Sequence, residues 1–280
     1  MYRVTHKKAL RSCVRNWHQG GQSVALVPTM GNLHAGHLQL VKQAKQLADK
    51  VVVSIFVNPG QFSEGEDFDT YPRTIEEDLR NLEEVNPDMV FNPDVDEVYP
   101  GGVEYETQVL VTGLDNIFCG AFRPGHFQGV ATVVSKLLNM VQPDIAVFGK
   151  KDYQQLLVIK KLVNDLCIPV EIFGAETVRE ESGLALSSRN RYLNQQEKDL
   201  AAKLYQTLSG IAEAVQTGRD DYQQLEADAV ETLENNGFKI DYLSIRNAAD
   251  LGAPAGGELV VLTAAWLGEA RLIDNIQIKR

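Results

Sequence analysis

Two histidines three residues apart, His34 and His37, follow an apolar run and a glycine in the segment VALVPTMGNLHAGHLQLV, residues 24 to 41. At the start of a helix, one turn or nearly so apart, two imidazoles can face one phosphate and hold or protonate its oxygens. Gly31 suits a tight turn after a strand, and Gly36 in the first helical turn keeps Cβ atoms clear of an approaching group. A helix start also brings N–H groups and the positive end of the helix dipole. The pair alone admits other readings: a surface pair, a satisfied core pair, or two zinc ligands in need of a third. The GxxxxGK and GxGxxG spacings are both absent, which disfavours P-loop kinase and dehydrogenase chemistry.

Polar residues also gather after other apolar runs. NPGQF follows Val57, with Asn58 and Gln61 suited either to capping a turn or to orienting a carboxylate or hydroxyl without charge. GKKDYQQ follows Phe148, where Lys150, Lys151 and Asp152 read as a solvated turn or as groups at a strand end. REESGLALSSRNR follows Val178, and its Ser187, Ser188 and Arg189 form either a polar interdomain loop or a segment that closes over a triphosphate. Ligands of open parallel sheets bind beyond the carboxyl ends of the strands, so four such ends outline a crevice that could hold phosphate.

The elements that must carry these residues follow from periodicity. Short β-branched runs at 24–27, 51–57, 89–91, 145–148 and 170–173 are apolar enough for strands buried on both faces. Helical patterns over 37–48, 75–84, 127–141 and 153–166 alternate with them, which predicts a Rossmann-like, doubly wound parallel sheet of α/β class. From about residue 174 the order changes to helices over 194–217 and 221–235 and then strands in DYLSI, ELVVLTAAWL and ARLIDNIQI, an α+β pattern. The expected division is a nucleotide- and acid-binding domain over 1–175 and a smaller α+β lid domain over 176–280.

Composition narrows the partners. A formal net charge of −11 over 280 residues argues against nucleic acid, so an anionic ligand requires local clusters of cations. There is no secretory leader pattern in MYRVTHKKALRSCVRNW and no apolar run near the roughly 20 residues of a membrane helix. With three scattered cysteines, Cys13, Cys119 and Cys167, read as reduced thiols, the expectation is a cytoplasmic protein without membrane contact.

Taken in order, PTMGNLHAGH, FVNPGQF, YPRT with its acidic run, RPGHFQGVATVV, FGKKDYQQ and LALSSRNRYL resemble the pantoate–β-alanine ligase family, within the HxGH nucleotidyltransferase superfamily that includes class I aminoacyl-tRNA synthetases. The likeness spans roughly the first 195 residues, and the remainder suits a small C-terminal domain. It implies a reaction in which ATP and pantoate give pantoyl adenylate and pyrophosphate, and the amine of β-alanine then displaces AMP to give pantothenate.

The resemblance also implies roles. Met30, Gly31, Asn32, Leu33, His34, Ala35, Gly36 and His37 match an ATP-contacting loop, with His37 in the place of a proton donor and His34 beside it as a catalytic group. Gln61 and Gln155 match pantoate-binding glutamines, Gln61 also meets β-alanine, and Asn58 resembles a polar contact near pantoate. Gly149, Lys150, Lys151 and Asp152 match a second ATP segment, in which Lys151 holds phosphate as a catalytic group and Asp152 the ribose. Val178 matches a backbone contact to adenine, and Leu186, Ser187, Ser188 and Arg189 a mobile phosphate-binding segment. Magnesium is expected on the ATP phosphates, with Glu77 and Asp78 as local ligand candidates, although the first of these is Glu where Asp is expected. Arg123 and His126 match the motif without an assigned role, and a helix-capping turn competes as their reading. Val130, Val133 or Val134 could line an apolar wall for a branched acid. A homodimer is the implied assembly. Two rival classes keep the fold: a nucleotidylyltransferase that never meets an amine, and a nucleotide-binding module without catalysis.

Overall fold

The computed structural model describes residues 1–63, 65, 66 and 68–279. The chain divides into two compact units, one of residues 1–150 and 158–176 and one of residues 151–157 and 177–280.

The first unit carries strands β1 (Tyr2–Val4), β2 (Val24–Thr29), β3 (Lys50–Ile55), β4 (Met89–Phe91), β5 (Ile145–Gly149) and β6 (Glu171–Ala175). They form one parallel sheet in the order β1-β4-β3-β2-β5-β6. Helices α1 (Lys7–Gln19), α2 (Ala35–Leu47), α3 (Ile75–Glu83), α4 (Val95–Val98), α5 (Cys119–Phe122), α6 (His126–Val141) and α7 (Tyr153–Asp165) lie in the connections, α7 running on from the second unit. The expected doubly wound sheet is therefore present, and β1 and α1 add to it an edge strand and a helix that the sequence reading passed over. That helix is amphipathic with only Leu10 and Val14 buried, too thin an apolar stripe to stand out in a polar, basic segment.

Alternating residues of the central strands build the core. Ala25 and Val27, Val51 and Val53, and Val90 and Val147 pack with Leu40, Val41 and Ala44 of α2 and Leu82 of α3. Each valine or leucine among them contributes about 1.5–3 kcal/mol on burial. The neighbouring residues Val24, Leu26 and Val52 are equally buried, as strands covered on both faces require.

The order reverses between β2 and β5, the switch point at which such sheets bind ligands. Pairing of β2 with β3 runs from Val24 to Thr29, whereas with β5 it covers Ala25 and Leu26. Pro28 lies beyond the paired stretch on the β5 side, where a residue without an N–H is tolerated. The two strands thus part toward their carboxyl ends, next to the loop that holds both histidines.

In the second unit α8 (Gln195–Gln216) and α9 (Tyr222–Asn235) cover an antiparallel sheet of β7 (Lys239–Asn247), β8 (Leu259–Leu267) and β9 (Ala270–Ile278). Leu204, Leu208, Ile211, Leu225 and Leu233 of the helices share a core with Leu243, Ile245, Val261 and Leu272 of the strands. A capping box starts α8: Asn194 Oδ1 accepts the Glu197 N–H, and Glu197 accepts the Asn194 N–H, each at 2.9 Å.

Candidate active site

The loop after β2 is held from below by side chains. Thr29 Oγ1 donates to the Ser54 carbonyl at 2.8 Å and accepts the Gly31 N–H at 3.3 Å. Gly31 has φ +84°, and a Cβ there would sit 2.9 Å from Asp78 Oδ2 and 3.2 Å from Ile55 Cγ2, so both conformation and space demand glycine. Asp78, in α3, accepts the Leu33 N–H at 2.7 Å and the Asn32 N–H at 3.0 Å, while Asn81 Nδ2 donates to the Leu33 carbonyl at 3.3 Å. Burial raises the Asp78 pKa and outweighs these hydrogen bonds, which lower it.

That carboxylate, one of the two magnesium candidates, thus spends an oxygen on each of two loop N–H groups, and its residue is 1% exposed. Glu77 beside it is exposed. Among the described residues no group of three His, Cys, Asp or Glu side chains is placed to hold a metal. Asp78→Asn is expected to turn an amide NH₂ against a buried N–H, costing about 1–3 kcal/mol of stability and weakening ATP binding. Chemical denaturation and the KM for ATP are the measurements.

His34 is the N-cap of α2. Its Nδ1 accepts the Gly36 N–H at 3.1 Å, and His37 Nδ1 accepts the His34 N–H at 3.3 Å, a capping box made of two imidazoles whose centroids are 4.1 Å apart. A nitrogen that accepts carries no proton, so this arrangement puts both rings in the neutral Nε2–H form. Each ring then carries its proton as a hydrogen-bond donor at Nε2. Of the N–H groups at this helix start, that of Gly36 is taken by His34.

After β3, Asn58 caps the 3₁₀ turn Pro59–Gln61 and is 1% exposed. Its Oδ1 accepts the Gly60 N–H at 3.3 Å and the Tyr99 hydroxyl at 2.8 Å, and its Nδ2 donates to the Gly129 carbonyl at 3.2 Å and to Gln61 Oε1 at 3.1 Å. An N–H only donates and a carbonyl only accepts, so the orientation of the Asn58 amide is unambiguous. Gln61 must then turn its oxygen to Asn58, leaving Nε2 as the donor end, 2.9 Å from Met30 Sδ. The capping reading of Asn58 holds, and its remaining bonds go to Tyr99, Gly129 and the neighbouring Gln61 amide.

Arg123 and His126 brace the same turn. His126 begins α6, is 7% exposed, and its Nδ1 lies 2.8 Å from the Gln61 carbonyl, while Arg123 Nη1 lies 3.1 Å from its Nε2. A carbonyl cannot donate and a guanidinium cannot accept, so His126 is the neutral Nδ1–H tautomer. Arg123 also makes two 2.6 Å bonds to the Glu66 carboxylate. Burial disfavours both charges, yet their mutual attraction prevails: the Arg123 pKa is raised and the Glu66 pKa lowered. Helix α6 reaches the turn because Gly129 has no side chain; a Cβ there would lie 1.9 Å from the Gly60 oxygen. Val130, Val133 and Val134 of this helix are all buried.

The structure therefore brings Met30, His34, His37, Asn58 and Gln61 into two linked loops of the first unit. Gly149 ends β5 and Lys150 follows it in the same unit, where Lys150 pairs with Glu176. Lys151, Asp152, Gln155, Val178 and Leu186 to Arg189 belong to the second unit. Lys151 is partly exposed and its carbonyl accepts from Asn275 Nδ2 at 2.9 Å; Asp152 is exposed and Gln155 half-buried. Leu186 N–H donates to the Val178 carbonyl at 3.0 Å, joining two predicted ATP contacts in one hairpin with the Arg179–Ala185 bridge. Arg179 braces that hairpin through two bonds to Asp274 and lies 3.8 Å above the Tyr205 ring. Ser187 Oγ accepts the Arg189 N–H at 3.3 Å and caps the 3₁₀ turn Ser188–Tyr192.

A family model described as pantoate–β-alanine ligase matches residues 3–277. The chain belongs to this family. A pantothenate synthetase from Pseudomonas aeruginosa is 52% identical over 280 residues, 99% of each chain, and one from Alkalilimnicola ehrlichii is 54% identical over 281 residues, 100% of this chain and 98% of the relative. The crystal structure of pantothenate synthetase from Thermus thermophilus superposes over all of both chains with a TM-score of 0.90 at 43% identity. That of pantoate–β-alanine ligase from Francisella tularensis, complexed with β,γ-ATP and β-alanine, gives 0.81 at 36% identity over 99% of this chain and 97% of that one. As a pantoate–β-alanine ligase, the chain is an acid–amine ligase that uses ATP to join pantoate to β-alanine. Tyr99, like Thr29, Asn81 and Gly129, supports these loops and was missed in the sequence, since VYP carries no signal beyond an aromatic before a turn.

Proposed function

We propose that the ligation runs in two stages on the groups just described. In the first, a pantoate carboxylate oxygen attacks the α-phosphorus of ATP, and the bond from that phosphorus to pyrophosphate breaks. In the second, the amine of β-alanine attacks the acyl carbon, AMP leaves with the C–O electron pair, and the amine loses a proton. The observation that carries this reading is the pair of neutral imidazoles, His34 and His37, at the switch point of the sheet. Two Nε2–H donors neutralise charge that grows on phosphate oxygens in the transition state without a protein charge to desolvate. Gln61, turned to present Nε2–H, suits a carboxylate or hydroxyl oxygen of pantoate.

The remaining roles rest on the family likeness. Met30 to His37, Gly149 to Asp152, Val178 and Leu186 to Arg189 bind ATP, with Lys151 on phosphate; Gln155 and Gln61 serve pantoate, Gln61 also β-alanine, and Asn58 acts near pantoate through its hold on Gln61. Magnesium would be held chiefly by the ATP phosphates and would supply charge neutralisation there. Asp78 is committed to the loop, which suits an anchor better than a metal ligand and leaves Glu77 as the freer carboxylate. Three free thiols, Cys167 among them exposed, fit a reducing cytoplasm. The family likeness supports a homodimer, and sedimentation equilibrium at twice the 31.0 kDa chain mass is the expected result.

The deciding experiment is staged product release. Pyrophosphate is expected from ATP, magnesium and pantoate alone, with AMP appearing only when β-alanine is added. AMP release that does not wait for the amine, or pyrophosphate that requires it, would overturn the two-stage reading.

A further inference from the structure

Gln61 can hold a substrate oxygen only if its amide presents nitrogen, and nothing within Gln61 itself decides which end faces outward. The decision comes from Asn58, whose Nδ2 occupies the Gln61 oxygen and whose orientation the Gly60 N–H and the Gly129 carbonyl fix; behind Asn58 stands Tyr99, whose hydroxyl lies 2.8 Å from Asn58 Oδ1 and makes the shortest bond to that amide. Tyr99 is 2% exposed. Its phenol is pushed far above the usual tyrosine range, chiefly by burial and further by the charge of Glu106, so it stays protonated and donates. Lys136 fastens its ring from one side, with Nζ 4.8 Å from the ring centroid, and donates to the Val98 carbonyl at 3.0 Å. A chain of three polar groups, 41 and then 3 residues apart in sequence, thus runs from a buried phenol to a substrate-facing amide.

We propose that Tyr99 is a positioning residue that holds the Asn58 amide in the orientation fixed by the Gly60 N–H and the Gly129 carbonyl, and through it keeps Gln61 turned toward a substrate oxygen that accepts. The proposal rests on the reading of Gln61 as a pantoate-binding group. Removing the phenolic oxygen leaves the Asn58 amide held by the longer bonds to the Gly60 N–H at 3.3 Å and the Gly129 carbonyl at 3.2 Å, a looser hold on its position.

Tyr99→Phe tests it, measured alone and in a Gln61→Ala background with the KM for pantoate and the KM for ATP followed together. The expected result is a rise of about tenfold in pantoate KM, the size of one lost hydrogen bond, at unchanged ATP KM. In the Gln61→Ala protein, the same substitution is expected to add less than about twofold, because the group it orients is gone. A Tyr99→Phe effect of equal size in both backgrounds, a parallel rise in ATP KM, or no effect on pantoate KM would overturn the proposal. If Gln61→Ala itself leaves pantoate KM unchanged, the assignment of Gln61 fails first, an outcome separate from failure of Tyr99 alone.

Discussion

Asparagine in place of His37 is expected to slow pantoate-dependent pyrophosphate release by about 10²–10³-fold while leaving the protein folded, a loss of about 3–4 kcal/mol in transition-state stabilisation. His37 does two jobs that one substitution to alanine would confound. Its Nδ1 accepts the His34 N–H and closes the capping box, whose loss costs about 1 kcal/mol of helix stability. Its Nε2–H is the donor we assign to phosphate. Asparagine retains an acceptor near the Nδ1 position and removes the distant donor, whereas glutamine retains a donor near Nε2 and gives up the cap. His37→Asn should therefore keep its thermal midpoint and lose rate, and His37→Gln should keep the greater share of the rate at a lower midpoint. Similar rates for the two variants, or a loss below about tenfold for asparagine, would remove His37 from the chemistry.

The second large effect is on folding. Gly129→Ala would place a methyl carbon 1.9 Å from the Gly60 oxygen, 2.3 Å from its carbon and 2.7 Å from Gln61 Cα. All three obstacles are backbone, so no side-chain rotation relieves the clash, and either α6 or the 3₁₀ turn must move. Overpacking typically costs about 1–3 kcal/mol, and a backbone clash of this depth belongs at or above the upper end. At roughly 2–4 °C per kcal/mol for a chain of this size, the expected fall in Tm is about 6–12 °C, together with a rise in pantoate KM as Gln61 is displaced. Gly210 in α8 is the matched control. It lies within a helix with nothing inside 4 Å of an added Cβ, so Gly210→Ala should be neutral or stabilise by up to about 1 kcal/mol. Scanning calorimetry of both proteins separates close approach from helix propensity. Equal effects would mean that α6 does not depend on the missing side chain.

Much of this enzyme is legible along the chain because the signals are local. The β-branched runs of β2, β3 and β5, alternating with helical periods, carry the parallel sheet in composition alone. His34 and His37 sit at the start of a helix because a glycine turn follows a strand, and even their capping box spans only three residues. The order of motifs from PTMGNLHAGH to LALSSRNRYL was sufficient to point to the ligase family that the full-length comparisons bear out.

What only the tertiary structure decided is which distant group satisfies each buried polar atom. Periodicity reports that a residue is buried, not what it faces. Asp78 reads as a carboxylate in an acidic run, yet it anchors Asn32 and Leu33, 46 and 45 residues away. His126 and Tyr99 reach the Gln61 turn across 65 and 41 residues, and Gly129 lets the helix that carries His126 approach it. Such partners are set when strands and helices pack, because a buried N–H or amide left unpaired costs more than the bond returns, and the packed fold determines which side chain is near enough to pair with it. The sequence by itself thus determined the sheet, its motif loops and the class of reaction, and the packing of α3 and α6 against those loops decided how the site residues are oriented.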